Sequence, residues 1–222
     1  MQETDISASA DKARPSRKAA GQDPVKRAQI LDGAKRCFMK LGYEAASMNE
    51  ITAEAGVSKG TIYVYFADKQ TLFRALIESE KTAAMELLRR DLEKAKSIED
   101  ALGTFGRTVC MRMNSDETIR AQRMVLGVLE SQPEVAGIFY GNQTATGPTI
   151  LAEYLREKVR AGGLVIEDVD LAAHQFADLA MSSLYKPRLF GNLCNAPARA
   201  DIDHVVNAAV EMFLARYGKR VD

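Results

Sequence analysis

The sequence predicts an all-α protein: an N-terminal three-helix unit containing a helix-turn-helix, followed by a longer C-terminal helical bundle. Three observations carry this. Apolar residues recur at three- and four-residue steps along most of the chain, with no internal repeat and no strand pattern of any length. Ser, Thr or Asp stands ahead of these stripes and Gly behind several of them, at helix-length intervals. The composition leans the same way: of 222 residues 46% are hydrophobic and 7% aromatic, none is Trp, and Ala, Leu, Glu, Lys and Arg abound. That apolar share is enough to bury a core in one large or two modest domains.

Residues 1–23 are polar, carry Ala, Ser, Gly and Pro, and show no stripe, so a disordered tail is expected there, made basic by Lys12, Arg14, Arg17 and Lys18. A helix follows over Pro24–Leu41, with Ile30, Leu31, Ala34, Phe38 and Leu41 on one face. Pro24 suits its first turn and Gly42 its stop, and Tyr43 is placed to fold back as a hydrophobic clamp. Ser47 and Glu50 have the S-x-x-E spacing in which two side chains satisfy each other's backbone N–H groups, so a second helix should begin at Met48. Ile51 and Ala55 share its inner face. Gly56 tolerates the left-handed conformation a reversal needs, Val57 plugs the corner, and Ser58 caps a third helix from Lys59 to Tyr65.

That third helix is poorly built for a structural part. Gly60 costs it about 1 kcal/mol relative to Ala, and Thr61, Ile62 and Val64 are β-branched. Ile62 and Phe66 supply a buried anchor. Lys59, Thr61, Tyr63 and Tyr65 supply donors, a methyl and phenolic hydroxyls around a glycine that lets a backbone come close. Helix-turn-helix units offer their second helix to the major groove of DNA in this way.

Beyond this unit, Asp68 caps a fourth helix predicted over residues 69–96, with Leu72, Phe73, Leu76, Ile77, Leu87, Leu88 and Leu92 inside. Further helices are expected over 98–113, begun by Ser97 and Asp100, and over 117–131. Pro133 and the stretch 137–148 interrupt the pattern. Helices then follow over 149–161, from the acidic connection 167–170 to about Leu189 with a kink near Pro187, and over 201–217, capped by Asp201 and closed by Gly218. The expected division is thus a tail over 1–23, a helix-turn-helix domain over 24–67 and a helical domain over 68–222.

The run from Ile51 through Ala55-Gly-Val-Ser-Lys-Gly-Thr-Ile-Tyr-Val-Tyr-Phe-Ala-Asp-Lys69, with Leu72-Phe73 after it, resembles the DNA-binding domain of the tetracycline-repressor (TetR) family. The resemblance covers about residues 26–76. It implies that Ser47, Tyr65 and Lys69 contact phosphates while Lys59, Gly60, Thr61 and Tyr63 enter the major groove of double-stranded DNA. Val64 departs from the family's pattern, where many members carry His or another polar aromatic, and base contact there reduces to packing on a thymine methyl. The resemblance further implies a C-terminal ligand-binding and dimerisation domain and repression relieved by a small-molecule effector. In that scheme the fourth helix links pocket to reader.

Charge fits a local rather than a global attraction. The formal net charge is zero, yet residues 11–40 hold nine Lys and Arg against three Asp. The basic tail is either a solubilising segment or an arm along the phosphates or minor groove. The last two helices carry broad apolar faces: Leu171, Ala172, Phe176, Leu179, Ala180, Ser183 and Leu184, then Ile202, Val205, Val206, Ala209, Val210, Phe213, Leu214 and Tyr217. Ordinary core packing explains them, and so does a four-helix bundle across a two-fold axis. The homodimer is the expectation, because a pseudo-palindromic operator calls for two related readers.

The chemistry of an enzyme is not written in the chain. His174 and His204 lack a metal-binding partner spacing, and no nucleophile elbow, Walker loop or dinucleotide fingerprint occurs. Gly137, Gly141 and Gly147 lack phosphate-cradle spacing, and Asp168 with Asp170 reads as helix capping. Cys37, Cys110 and Cys194 are too scattered for a disulfide framework or zinc knot, and neither a signal peptide nor a membrane span is visible. A cytoplasmic protein without metal or cofactor is expected. Soft apolar side chains suit a pocket for an apolar small molecule, for which Phe105, Met113, Met124, Tyr140, His174 and Phe176 are the candidates, with Arg123 and Gln175 as further polar selectors. The rival reading is a helical interaction module, carrier or enzyme that never meets DNA.

Overall fold

Caps decide where the helices begin. In the computed structural model, described over residues 21–130 and 146–219, ten helices follow one another: α1 (Pro24–Leu41), α2 (Met48–Ala55), α3 (Lys59–Tyr65), α4 (Lys69–Lys94), α5 (Ile98–Met113), α6 (Asp116–Val128), α7 (Gly147–Arg160), α8 (Val169–Leu179), α9 (Tyr185–Leu189) and α10 (Arg199–Tyr217). The first eight each start on a side chain that accepts from a first-turn N–H: Asp23, Ser47, Ser58, Asp68, Ser97, Ser115, Thr146 and Asp168. Among the described residues extended pairing is limited to one antiparallel bridge between Leu164 and Gly218. The basic tail residues Lys12, Arg14, Arg17 and Lys18, the interruption near Pro133 and Gly137, and Tyr140 lie outside the described residues.

Three predicted boundaries need correction. Helix α7 begins at Gly147 rather than 149, because Thr146 caps it and accepts from Thr149 N–H. Pro148, expected to break the pattern, sits at the second helical position, where its missing N–H has no intrahelical partner to lose. The helix expected up to Leu189 divides into α8 and α9. The break falls at 180–184, where Ser183 has a φ of 63°, so that Pro187 lies in the first turn of α9 instead of kinking a helix interior. Finally, α10 starts at Arg199 on Ala198, which makes no side-chain cap. Asp201 is not its cap but lies in the first turn, facing the positive end of the helix dipole.

Two apolar cores result. The first joins α1, α2 and α3 to the opening turns of α4 and to α6: Ile30, Phe38, Tyr43, Ile51, Ile62, Phe66, Leu72, Phe73 and Val125 are all buried in it. Tyr43 is the clamp expected, its ring 5.8 Å from Phe38 and 4.8 Å from Phe73. Helices α1 and α2 touch at Gly33, where a Cβ would stand 2.4 Å from Ala55 Cα. The second core packs α5, α7, α8 and α10 around Phe105, Phe176 and Phe213, with centroids 6.2 and 5.4 Å apart in that order. Fully burying each ring stabilises by roughly 1.5–3 kcal/mol. Leu41 and Leu87, expected inside, are 38% and 48% exposed. Leu41 ends α1 beyond the neighbours that bury Phe38, and Leu87 points away from Leu88, which takes the core side of α4.

Helix α4 belongs to both cores. Leu72, Phe73, Ala75 and Leu76 enter the first, and Leu88 and Leu92 the second. The side chains that hold the helix-turn-helix together therefore extend past residue 67.

Candidate nucleic-acid interface and interdomain cavity

The reader helix α3 is short and depends on its neighbours for placement. Ser58 Oγ accepts from Thr61 N–H at 3.1 Å, and the two hydroxyls are 2.8 Å apart. Ile62 and Phe66 are buried and anchor the inner side. The turn before it is held from α1: Gln29 donates to the carbonyl of Ala55 at 2.8 Å, beside Gly56, whose φ of 62° is left-handed. Arg36 reaches across to the side chain and the carbonyl of Glu54, both at 2.8 Å.

With that frame set, Lys59, Gly60, Tyr63 and Val64 stand on the outer face, Tyr63 45% and Val64 53% exposed. Outside the helix's own backbone and the neighbouring residues, the nearest atom to a Cβ built on Gly60 is Ser58 Oγ at 3.9 Å. The helix thus presents bare backbone flanked by a phenol, an ammonium and a small apolar side chain. Thr61 and Tyr65 are half-buried at its sides, Tyr65 packing on the first core. Ser47 is exposed at the start of α2. Its backbone N–H donates to Glu50 Oε2 at 2.8 Å and its Oγ accepts from Glu50 N–H at 3.3 Å. The Glu50 carboxyl is held below its ordinary range by the Ser47 hydrogen bonds.

Lys69 has a structural duty that the sequence did not disclose. Its Nζ donates to the carbonyls of Tyr43 and Glu44 at 2.7 and 3.2 Å and lies 4.5 Å from the centre of the Tyr43 ring. Two of its three N–H groups thus bind the connection between α1 and α2 to the start of α4. Gly21 sits against Val64, since a Cβ there would meet Val64 Cγ1 at 3.3 Å. The described chain therefore begins beside the reader helix.

The second site is a cavity of 310 Å³ between the two cores. Phe38 and Met39 of α1, Phe73 and Ile77 of α4, Met113 of α5 and Met124 of α6 contribute its apolar wall. Gln122, 8% exposed, accepts from Tyr185 Oη–H at 3.0 Å at its border. Lys35 of α1 lies there too, 3.1 Å from Glu80 of α4 and 2.5 Å from Glu117 of α6. Burial alone works to lower its pKa, but hydrogen bonds to Glu117 and Glu80 outweigh it, and the ammonium is held above its ordinary value.

Of the candidate pocket residues, Met113 and Met124 line this cavity. Phe105 and Phe176 do not: both are fully buried in the second core, because α5 and α8 pack directly on each other there. Phe105 stands behind Gly147, its Cζ 3.7 Å from where a Gly147 Cβ would lie. His174 and Gln175 are exposed on α8, and Arg123 is spent on the carbonyls of Arg188 and Leu189, both at 2.8 Å. The residues missed, Lys35, Phe38, Phe73 and Gln122, come from three separate helices, α1, α4 and α6. Their apolar or helical spacing marks them as core, and nothing local marks them as a wall. Cys110 is fully buried, and desolvation raises its thiol pKa, with the Asn114 hydrogen bond working weakly against it. Among the described residues no group of His, Cys, Asp and Glu could hold a metal ion, and no helix is long and apolar enough to cross a membrane.

Comparison with known proteins sets this geometry in context. The repressor AcnR of Corynebacterium glutamicum is 39% identical over 71 residues, 32% of this chain and 38% of its own length. The chain thus spans little more than a third of the length of the curated relatives it matches first. A TetR-family transcriptional regulator from Mesorhizobium loti superposes with a TM-score of 0.79 at 25% identity, over 88% of this chain and 98% of that one. The flavonoid-responsive regulator FrrA follows at 0.71 and 28%, over 90% of this chain and all of its own. Residues 30–76 match the family of bacterial regulatory proteins named for tetR, and residues 100–219 match the C-terminal domain of AefR-like transcriptional repressors. With its N-terminal reader and more than half of its length matched in this way, the chain belongs to the TetR family of transcriptional regulators.

Proposed function

We propose that this protein is a transcriptional repressor that binds a pseudo-palindromic operator as a homodimer and leaves it when a small, largely apolar ligand fills the cavity between its cores. The observation that carries the reading is the outer face of α3: an open glycine, Lys59, Tyr63 and Val64 projecting from a rigidly capped unit. Major-groove contact comes from Lys59, Gly60, Thr61 and Tyr63, with Ser47 and Tyr65 on phosphates and Lys69 both bracing the unit and reaching a phosphate with its remaining N–H. Dimerisation through α8 and α10 is supported by Leu171 and Met212, 53% and 58% exposed on those helices. A flavonoid-responsive protein of the same fold supports a small-molecule effector. The effector would shift reader occupancy through a coupling of about 1–3 kcal/mol, limited by its preference for one of the two states. Regulation rather than catalysis, in the cytoplasm, follows from this reading.

The start of the described chain beside Val64 favours the arm over the solubilising tail. Lys12, Arg14, Arg17 and Lys18 precede Gly21 by at most nine residues, each spanning up to about 3.5 Å, and so stay within reach of the same duplex. Gel shifts with genomic fragments at two salt concentrations test the whole reading: salt-steep, sequence-selective retention is expected, and its absence would favour an interaction module or carrier. Tyr63→Ala should cost about 1–3 kcal/mol of specific binding. Deleting residues 1–20 should flatten the salt dependence by up to about 0.9 in slope for each phosphate that the tail no longer neutralises. An unchanged slope returns the tail to a solubilising role.

A further inference from the structure

One methionine from each of four helices meets at the cavity: Met39 of α1, Met85 of α4, Met113 of α5 and Met124 of α6. Four of the chain's nine methionines thus converge on one place. All four are half-buried and line open space, where a methionine that merely fills a core would be enclosed. Leucine at these positions would give an apolar wall of similar volume. What methionine adds is an unbranched stem that resettles around a rigid shape, and a polarisable sulfur that is attracted to an aromatic ring, often at its edge. Aromatic rings of the reader unit stand on the same wall. Phe38 and Phe73 line the cavity with centroids 5.2 Å apart, edge to face, and both pack on Tyr43. Met124 packs on that first core and Met85 on the second, so a body lying among the thioethers lies against both.

We propose that the cavity takes a planar aromatic ligand of two or three fused rings, held by the four thioethers and set against Phe38 and Phe73. This rests on reading the cavity as the effector site and adds the ligand's chemical class to it. The volume, 310 Å³, is at the small end of small-molecule sites and suits a compact fused-ring body. Such a body brings ring edges to sulfurs that a saturated one of the same skeleton cannot engage. It also arrives rigid, leaving the adjustment of shape to the methionine stems.

Calorimetric titration of the full chain with 2-naphthol and with decahydro-2-naphthol tests this. The two probes share one carbon skeleton and one hydroxyl, are uncharged at neutral pH, and differ in whether the rings are aromatic. The naphthol should bind about tenfold tighter. Met113→Leu and Met124→Leu conserve volume and remove a sulfur. Each should weaken the naphthol by about threefold while binding of the saturated probe, which also reports an intact cavity, stays put. Equal affinity for the two probes, preference for the saturated one, a naphthol preference that survives both substitutions together, or variants that lose both probes alike would overturn the aromatic assignment alone. Failure of both probes to bind the original protein would overturn it together with the cavity's role as the effector site.

Discussion

Two glycines show how the same residue type answers opposite demands. At Gly33 a Cβ would stand 2.5 Å or less from the Cα and Cβ of Ala55, so α1 and α2 meet only because no side chain is there. At Gly60 the space is open. Gly33→Ala must therefore push the two helices apart, at an overpacking cost of about 1–3 kcal/mol or more, and both melting temperature and DNA affinity should fall. Gly60→Ala should do the reverse to stability, raising it by up to about 1 kcal/mol through helix propensity, while weakening operator binding. Thermal melts paired with fluorescence anisotropy read both quantities. A Gly60→Ala protein that binds as tightly as the original would remove α3 from the groove. The open position of Gly60 was legible in the sequence because a glycine there contradicts local helix propensity. The close approach at Gly33 was not, because its reason is a residue on another helix.

Element boundaries were legible where a local hydrogen bond sets them and obscure where packing does. Ser47, Ser58, Asp68 and Ser97 cap at the predicted places because a cap needs only a first-turn N–H. The split between α8 and α9 has no such local mark. Leu184 begins α9 without a side-chain cap, and a buried arginine, Arg188, supports the segment after it by donating to the carbonyls of Leu193 and Cys194 at 3.2 and 2.8 Å. Phe105 and Phe176 were placed at the cavity for the same reason, whereas Met113 and Met124 do line it. A phenylalanine on a helical stripe looks alike whether it fills a core, as Phe176 does, or faces a cavity, as Phe73 does. The caps also give a pH dependence. Asp68 Oδ1 accepts from Thr71 N–H at 2.6 Å, and that backbone bond, then the Thr71 hydroxyl, holds its carboxyl below the ordinary value. A carboxyl depressed in the folded state stabilises above its unfolded pKa and loses that stabilisation as pH falls through the folded one. The junction of α3 and α4 should therefore weaken below about pH 4. Asp68→Ala should cost about 0.5–2 kcal/mol at neutral pH and abolish this share of the acid sensitivity, while Asp68→Asn keeps most of the cap and loses only the titration. Urea midpoints of the three proteins between neutral and acid pH decide it, and parallel curves would remove Asp68 as the source.

At the scale of the molecule, the question is what makes two cores behave as one body. Helix α4 is continuous between them, but a helix alone permits rocking. Two side chains of α6 oppose that motion: Val125, buried in the first core, and Glu117, which with Glu80 grips Lys35 of α1. The ion triad closes one side of the cavity, so a ligand there lies against the same three side chains that tie the reader unit to the rest. Lys35 is one-third exposed and its partners about half, so the triad is worth on the order of 1 kcal/mol, well short of a buried pair. Lys35→Met keeps the aliphatic stem and removes the charge. Hydrogen exchange in the ligand-free protein should then speed up in α1, α2 and α3 by about fivefold, the equivalent of about 1 kcal/mol of local opening. Exchange in α8 and α10 should stay unchanged. In a Glu80→Gln, Glu117→Gln background the same lysine substitution should add almost nothing, because no carboxylate remains for it to hold. High salt should shrink the difference between Lys35→Met and the original protein, since these charges are partly screened. If exchange in the reader unit is indifferent to Lys35, the coupling passes through the apolar packing of Val125 alone, and Val125→Ala should then show the acceleration that Lys35→Met did not.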